Sequence, residues 1–256
     1  MVQEGRIRIQ PLQEVIRLAP FLLGLVMLTL SSGASAETLR EVSGRATLLD
    51  SGERVYSVTA QETWVGGRQT RFSARHVDGK GRLRMTREVV YHDDRFVPDE
   101  RLEHPLTGKM SQTKRLAKGV RLSARDKAGA RVRSAVVSPP RPYVSGFALS
   151  AFLSSHRGAL AKGETVRFVM LAPSRLDWYR FRARKSADRG VKPGQFLVAI
   201  DTDSMVLRLF VSTMYFWFDA QTGGLIRYEG PVSVEDDGGD MLNVRVDFPQ
   251  GLGVAP

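Results

Sequence analysis

Three consecutive polar residues, His92, Asp93 and Asp94, bring together an imidazole and two carboxylates. These groups are common ligands of metal ions, and they can also form an acid–base pair. Neighbouring residues of a strand or turn point in different directions, so three consecutive side chains rarely converge on one point. We therefore expect this segment to form a hydrated turn.

A second candidate for chemistry is the run Ser154, Ser155 and His156, which lies in an amphipathic segment. A serine nucleophile needs a base within hydrogen-bond reach and a donor that stabilises the oxyanion. Residues one or two positions apart on a helix do not face each other, so His156 is badly placed to activate either serine. The chain also lacks the Gly-x-Ser-x-Gly motif of hydrolases. These observations do not favour a catalytic serine here.

Acidic residues are concentrated in the segment Glu235–Asp240 and in the pair Asp201 and Asp203. The segment offers oxygen ligands for calcium but lacks the alternating spacing that places carboxylates around one ion, so we expect a charged hairpin loop. Asp201 and Asp203 would share one face of a continuing strand and could work as paired carboxylates. The alternative is that Asp203 or Ser204 caps a short helix over residues 204–211.

The most informative pattern is a set of large aromatic residues at strand positions, accompanied by a row of arginines. If the sheet encloses an open trough, these aromatic side chains would line a cavity in which a lipid chain gains about 0.8 kcal/mol per buried methylene. The arginines could then hold an anionic headgroup through charge-assisted hydrogen bonds. The alternative is that the aromatic side chains form an ordinary core. The aromatic residues are Trp64, Phe96, Trp178, Phe181, Tyr215 and Trp217, and the arginines are Arg180, Arg182 and Arg184.

The elements that must position these residues follow from hydrophobic periodicity. Most of the chain after residue 36 alternates apolar and polar residues with a period of two, and glycine-rich turns separate the segments. The pattern predicts a mainly β fold, a strongly curved antiparallel sheet or unclosed β-barrel of about ten to twelve strands. One principal helix is predicted over Ser145–Ala161, with Ser145 as its N-cap, and we expect it to cover the sheet.

The start of the chain has the features of a secretory signal. An apolar run from Leu18 to Leu30 precedes the small residues Ala34, Ser35 and Ala36. This order predicts a signal peptide over residues 1–36 that is cleaved after Ala36, with an uncleaved N-terminal anchor as the alternative. The absence of cysteine is consistent with a periplasmic location, where stray thiols would risk mispairing.

The remaining chain is expected to form one β-rich domain over residues 37–249. A proline-rich stretch near residues 138–142 is predicted to be a rigid, extended linker ahead of the helix. Residues 250–256 contain glycine and proline and are predicted to form a flexible tail.

Composition restricts the classes of partner. The chain has 42% hydrophobic and 25% charged residues, which is typical of a folded globular protein. Its formal net charge of +11 favours contact with polyanions, and a periplasmic location makes an anionic membrane surface or ligand a better candidate than nucleic acid. With no cysteine and four histidines, neither a cofactor nor a metal site is predicted. The oligomeric state is left open.

The second half of the chain also contains strand and turn signatures that resemble a known family. These signatures are residues 164–168, 172–178, 207–209, 218–219, 225–230 and 243–246. They are similar to those of an exported proteobacterial protein family of unknown function, whose fold resembles the lipoprotein-localisation carriers. The resemblance implies a curved, unclosed β-barrel with helices over its mouth, and it supplies no catalytic residues. An enzyme of pigment biosynthesis is built on the same scaffold, so the resemblance does not exclude chemistry.

Three functional hypotheses follow. The first is a periplasmic binding or carrier protein for a hydrophobic, anionic lipid-like ligand. The second is an envelope accessory protein that acts through protein–protein contacts and has a filled interior. The third is an enzyme, which would require polar groups that converge in a cleft.

Overall fold

The computed structural model of the protein describes residues 36–203 and 212–255. The predicted signal peptide, apart from Ala36, and the predicted helix over residues 204–211 lie outside the described residues. The strands of the first half are β1 Glu37–Leu48, β2 Arg54–Val65, β3 Arg68–Asp78, β4 Leu83–Val90, β5 Asp99–His104, β6 Lys109–Arg115, β7 Val120–Arg125 and β8 Arg133–Val137. Those of the second half are β9 Tyr143–Val144, β10 Val166–Ala172, β11 Asp177–Lys185, β12 Gln195–Thr202, β13 Met214–Asp219, β14 Leu225–Glu235 and β15 Met241–Leu252.

All fifteen strands of the described residues belong to one curved sheet that does not close. The order runs from β8 back to β1, then to β15, and back to β9 at the other edge. Every neighbouring pair is antiparallel except the short pairing of β9 with β10. The predicted mainly β, curved and unclosed architecture is confirmed at this level, whereas the strand number exceeds the ten to twelve expected.

The proline-rich stretch at residues 138–142 connects the two edges of the sheet, because β8 and β9 are its outermost strands. The chain leaves β8, crosses the gap and begins β9, whose parallel partner is β10. This stretch is therefore the connection between the first and the second half of the sheet.

The central strand β1 is difficult to recognise from period-two alternation, because its inward side chains are small. Val42, Gly44 and Ala46 face inward, and they alternate with exposed polar residues. A Cβ at Gly44 would lie 2.7 Å from the ring of Phe248, so only glycine lets β1 approach β15 here. β1 joins the two halves of the sheet through β2 on one side and β15 on the other.

The helical segment is shorter than predicted and is interrupted. Helix α1 spans Leu149–Ser155 and α2 spans Arg157–Ala161, whereas a single helix was expected over Ser145–Ala161. The Ser155 hydroxyl (2.7 Å) and the His156 ring (2.8 Å) both reach the Phe152 carbonyl and compete with the backbone for it, which explains the break. Among residues 36–203 and 212–255, no helix has the length and apolar character needed to span a bilayer.

Helix α1 covers the concave face of the sheet. Its Phe152 is buried against the rings of Phe96 and Phe168, with centroids 5.4 and 5.2 Å apart. Leu149 and Leu153 are also buried, so this side of α1 belongs to the main hydrophobic core. A smaller cluster of Val97, Val120, Leu122 and Leu171 packs β7 near the turn between β10 and β11.

The last strand extends into the segment that was predicted to form a flexible tail. β15 continues to Leu252, and the Arg40 guanidinium donates to the carbonyls of Gln250 (2.5 Å), Gly251 (2.9 Å) and Val254 (3.2 Å). The expected boundary at residue 249 therefore does not coincide with the end of the last strand.

Candidate ligand-binding site

The concave face and the start of α1 enclose a cavity of about 280 Å³. Its wall is mostly apolar and comes from both halves of the sheet. Residues from β2 to β4, from β13 to β15 and from the segment that begins α1 contribute. They include Val58, Phe72, Ala74, Met85, Phe147, Leu149, Met214, Phe216, Val234 and Val246. We name this space the inner cavity.

Strand alternation explains how the inner cavity forms. On β3, Phe72, Ala74 and His76 face inward, while Ser73 and Arg75 face outward. The small Ala74 side chain leaves space between two larger neighbours. A similar contrast of small and large side chains around the trough prevents the interior from filling completely.

One charged side chain, Arg87, and several polar ones, among them Tyr56 and His76, lie in the otherwise apolar wall. Arg87 lies 3.2 Å from a Glu100 carboxylate oxygen, and its guanidinium is 5.2 Å from the centre of the Phe147 ring. The Tyr56 and His76 rings are in contact, with centroids 5.4 Å apart. Burial raises the pKa of Tyr56, so this phenol is a neutral group of the wall.

Burial, the nearby Arg87 guanidinium and, to a smaller extent, His104 together lower the pKa of His76 from 6.5 to about 3, and a hydrogen bond with the Met85 backbone opposes the shift. His76 is therefore neutral in the folded protein above about pH 3. Because a charged imidazole here would be desolvated and would face a guanidinium, protonation is unfavourable. The inner cavity consequently contains a neutral imidazole and one guanidinium that is paired with a carboxylate.

We predict that acidification destabilises the protein through His76. The unfolded chain takes up a proton near pH 6.5 and the folded chain does not, so stability falls as the pH drops from about 6.5 towards 3. About 2 kcal/mol should be lost between roughly pH 7 and pH 5. Urea unfolding at several pH values measures this loss, and His76→Gln should reduce the slope. An unchanged slope in the variant would contradict the assignment.

A second cavity of about 330 Å³ adjoins the inner one, and we name it the outer cavity. Phe147, Ser150, Leu225 and Leu252 line both spaces, so the two meet beside α1. The outer cavity is more polar, and it lies at the β2–β3 hairpin. Its other lining residues include Glu62, Trp64, Arg68, Gln69, Tyr91, His92, Arg95 and Ser154.

Side chains of the helical segment lie where the two spaces adjoin. Ser150, Ala151 and Ser154 of α1, together with Phe147 in the turn before it, follow the i, i+3, i+4, i+7 spacing of one face, and all four line the outer cavity. Ser154 donates a 2.9 Å hydrogen bond to the Gly223 carbonyl, which ties α1 to the turn before β14. Phe147 and Ser150 also line the inner cavity, so the two spaces adjoin beside this face of the helical segment.

Of the predicted aromatic residues, only Trp64 lines either of the two cavities. Phe181 is buried in the core and stacks on Phe168 at 6.0 Å. Phe96 packs edge-on against Phe152 beneath α1. Phe96 therefore supports α1 directly, and Phe181 supports it through Phe168, whose ring packs against Phe152.

The predicted arginine row lies on the convex face. On β11, Phe181 and Ala183 face the core, so Arg180, Arg182 and Arg184 point to the opposite side. Arg182 and Arg184 contact the Asp201 carboxylate at 3.6 and 2.6 Å. The row therefore does not face the inner cavity.

The three remaining aromatic residues do not line the inner cavity. Two of them, Tyr215 and Trp217, lie on the outer side of β13, and Trp178 packs against the smaller hydrophobic cluster. On β13 the cavity-lining residues are Met214 and Phe216, so the intervening Tyr215 faces outward, as does Trp217. The guanidinium of Arg189 lies 4.6 Å from the Tyr215 ring centre, and Arg227 lies 5.8 Å from that of Trp217. Trp178 packs against the smaller hydrophobic cluster, and the Arg180 guanidinium lies 5.5 Å from its ring centre.

The other chemical candidates have structural partners. His92 lies 3.4 Å from Asp99, and the Asp94 carboxylate accepts a hydrogen bond from the Phe96 backbone. Ser155 bonds to the Phe152 carbonyl and lies 3.1 Å from the adjacent His156 ring. No group of three or more potential metal-ligating side chains occurs in the described part of the chain.

The acidic segment 235–240 forms the loop of the β14–β15 hairpin. Glu235 pairs with Lys109 at 2.8 Å, and Asp237 pairs with Arg82 (3.1 Å) and Arg84. Asp236 accepts hydrogen bonds from the backbone of its own loop. Glu235 and Asp237 therefore attach the loop to β6 and β4, respectively.

The wall of the inner cavity also contains four residues that were not predicted from the sequence. They are Tyr56, Ala74, His76 and Arg87. For His76 and Arg87, the signal in the sequence was a polar residue at an inward position of an otherwise apolar strand face. His76 follows Phe72 and Ala74 at a spacing of two, and Arg87 lies between the inward residues Met85 and Val89.

Comparisons with protein-family models, with curated proteins and with solved structures returned no match.

Proposed function

We propose that the protein binds an apolar or amphiphilic small molecule whose hydrocarbon chain occupies the inner cavity, and that it works as a binding or carrier protein. The observation that supports this function is the apolar space of about 280 Å³ between the concave sheet and α1. Ligand pockets of globular proteins commonly measure about 300–1,000 Å³ and are mainly apolar with a few polar groups. The inner cavity lies just below that range, and the adjoining outer cavity adds about 330 Å³.

The wall of the inner cavity favours a flexible chain over a rigid planar ligand. Methionine side chains adapt their shape, and Met85, Met170 and Met214 all line the space. Phe72 and Phe216 add flat apolar surfaces. A hydrocarbon chain can follow such an irregular wall, and its transfer from water supplies the binding energy.

A series of alkanoates tests this function. We expect affinity to increase from octanoate to decanoate to dodecanoate, because each methylene that enters the inner cavity gains about 0.8 kcal/mol. Two methylenes should therefore strengthen binding by roughly tenfold. Displacement of the apolar dye N-phenylnaphthylamine from the purified protein measures the affinities. Failure of every compound in the series, together with failure of the dye to bind, would overturn the proposed function.

The cellular setting of this function is also a proposal. A signal peptide over residues 1–36 would place the protein in the periplasm, where lipid-like molecules need a shielded route between membranes. The net charge of +11 supports contact with an anionic membrane surface during loading or release. The carrier role implied by the family resemblance stays a prediction.

A further inference from the structure

Two residues that line the outer cavity carry buried hydrogen-bond donors with no acceptor among the described residues. Neither the indole Nε1 of Trp64 nor the amide Nε2 of Gln69 has a partner among the described residues. Trp64 is only 7% exposed, and both residues line the outer cavity. They are direct cross-strand partners on β2 and β3, so their side chains are neighbours. A buried donor without an acceptor destabilises the folded protein, so a ligand that supplies the acceptor gains binding energy.

The chemistry of these donors restricts their partner. An indole nitrogen can only donate, so whatever binds beside Trp64 must present an acceptor atom. Oxygen atoms of an anionic headgroup are the strongest acceptors, because hydrogen bonds to ionised groups are roughly twice as strong as neutral ones.

The charges around the outer cavity favour an anion. Arg68 and Arg95 line it, and both are exposed enough to reorient towards a bound group. The buried carboxylate of Glu62 is already bound by Arg40 at 2.9 Å and by the Gly253 amide at 2.8 Å. The positive charge of Arg68 and Arg95 is therefore available to a ligand.

The position of the outer cavity relates this headgroup to the hydrocarbon chain. Because Phe147 and Ser150 line both spaces, a molecule beside α1 can place its chain in one and its polar end in the other. We infer that the outer cavity binds the anionic headgroup of an amphiphile through Trp64 and Gln69, with Arg68 and Arg95 supplying the charge. This inference rests on the proposed function and assigns the headgroup to a site different from the arginine row of β11.

Isothermal titration calorimetry with three ligands of equal chain length tests the assignment. We expect dodecanoate to bind about tenfold more tightly than dodecanol, and dodecyltrimethylammonium to bind most weakly. Trp64→Phe keeps an aromatic ring but removes the donor, so it should weaken dodecanoate binding about tenfold and dodecanol binding by a clearly smaller factor, because the neutral hydroxyl is the weaker acceptor. The matched control is Trp217→Phe, because Trp217 is equally buried but lies on the convex face, and it should alter neither affinity.

A second variant tests the headgroup assignment without altering a buried side chain. Arg68→Gln combined with Arg95→Gln changes exposed side chains only, and it should reduce the preference for dodecanoate over dodecanol. Equal affinities of the normal protein for dodecanoate and dodecanol, or equal losses for both ligands in the variants, would overturn the headgroup assignment while the proposed function stands. If none of the three ligands binds and the dye also fails, the proposed function itself falls.

Discussion

Replacing Ala74 with phenylalanine is expected to abolish binding of hydrocarbon ligands, with affinity for dodecanoate at least about a hundredfold lower. Ala74 is 3% exposed and lies in the inner-cavity wall between the inward residues Phe72 and His76. An added ring would occupy the space that we assign to the chain. Losing contact with about four methylenes already removes roughly 3 kcal/mol of binding free energy.

The matched control is Ser73→Phe, because Ser73 adjoins Ala74 but points to the opposite face of β3. This variant adds the same ring outside the cavity and should bind dodecanoate normally. Thermal unfolding of both variants checks that they are folded, since a cavity that can accept the ring limits the cost of overpacking. Normal dodecanoate binding by folded Ala74→Phe would show that the ligand does not enter the inner cavity.

Arg40→Met is expected to destabilise the protein by about 3–5 kcal/mol. The Glu62 carboxylate is completely buried, and Arg40 is its only guanidinium partner among the described residues, at 2.9 Å. Removing Arg40 leaves an uncompensated buried charge, and it also removes the donor to the carbonyls of Gln250, Gly251 and Val254. Urea unfolding of the purified variant measures the loss.

A double variant separates the buried charge from the other contacts of Arg40. Combining Arg40→Met with Glu62→Met removes both charges, so a large part of the lost stability should return. The carbonyl contacts of the C-terminal segment stay absent in both variants. If the double variant is as unstable as Arg40→Met alone, the buried carboxylate is not the cause of the loss.

The general architecture was predictable because alternation is strong along most strands. On β15, for example, Val244, Val246 and Phe248 are buried, as their spacing predicts. β1 was not identified because its inward positions include Gly44 and Ala46, which weaken the hydrophobic signal. β9 has only two residues and pairs through its backbone with β10. No local sequence pattern predicts a strand this short.

The site was less predictable because the sequence does not say which face of an apolar strand is concave. β13 is apolar on both faces, and the prediction selected Tyr215 and Trp217 when Met214 and Phe216 line the inner cavity. The outward aromatic side chains are instead shielded by arginines, including Arg189. Aromatic size thus indicated burial but not the side of the sheet on which a ligand would lie.

The location of a cavity depends on packing between distant segments. Ala74 on β3 and Phe216 on β13 lie on opposite halves of the sheet, and they share one space only after the sheet curves and α1 covers it. Small residues at inward positions are compatible either with a tight core or with a void. The three-dimensional arrangement distinguishes these two outcomes.

The most direct measurement is anomalous diffraction from crystals grown with dodecanoate that carries bromine on its terminal carbon. The account predicts a bromine peak in the inner cavity, near Ala74, Met85 and Phe216, with the carboxylate directed towards Trp64. Bromine peaks only on the convex face, or bound ligand whose chain stays outside the space beneath α1, would contradict it.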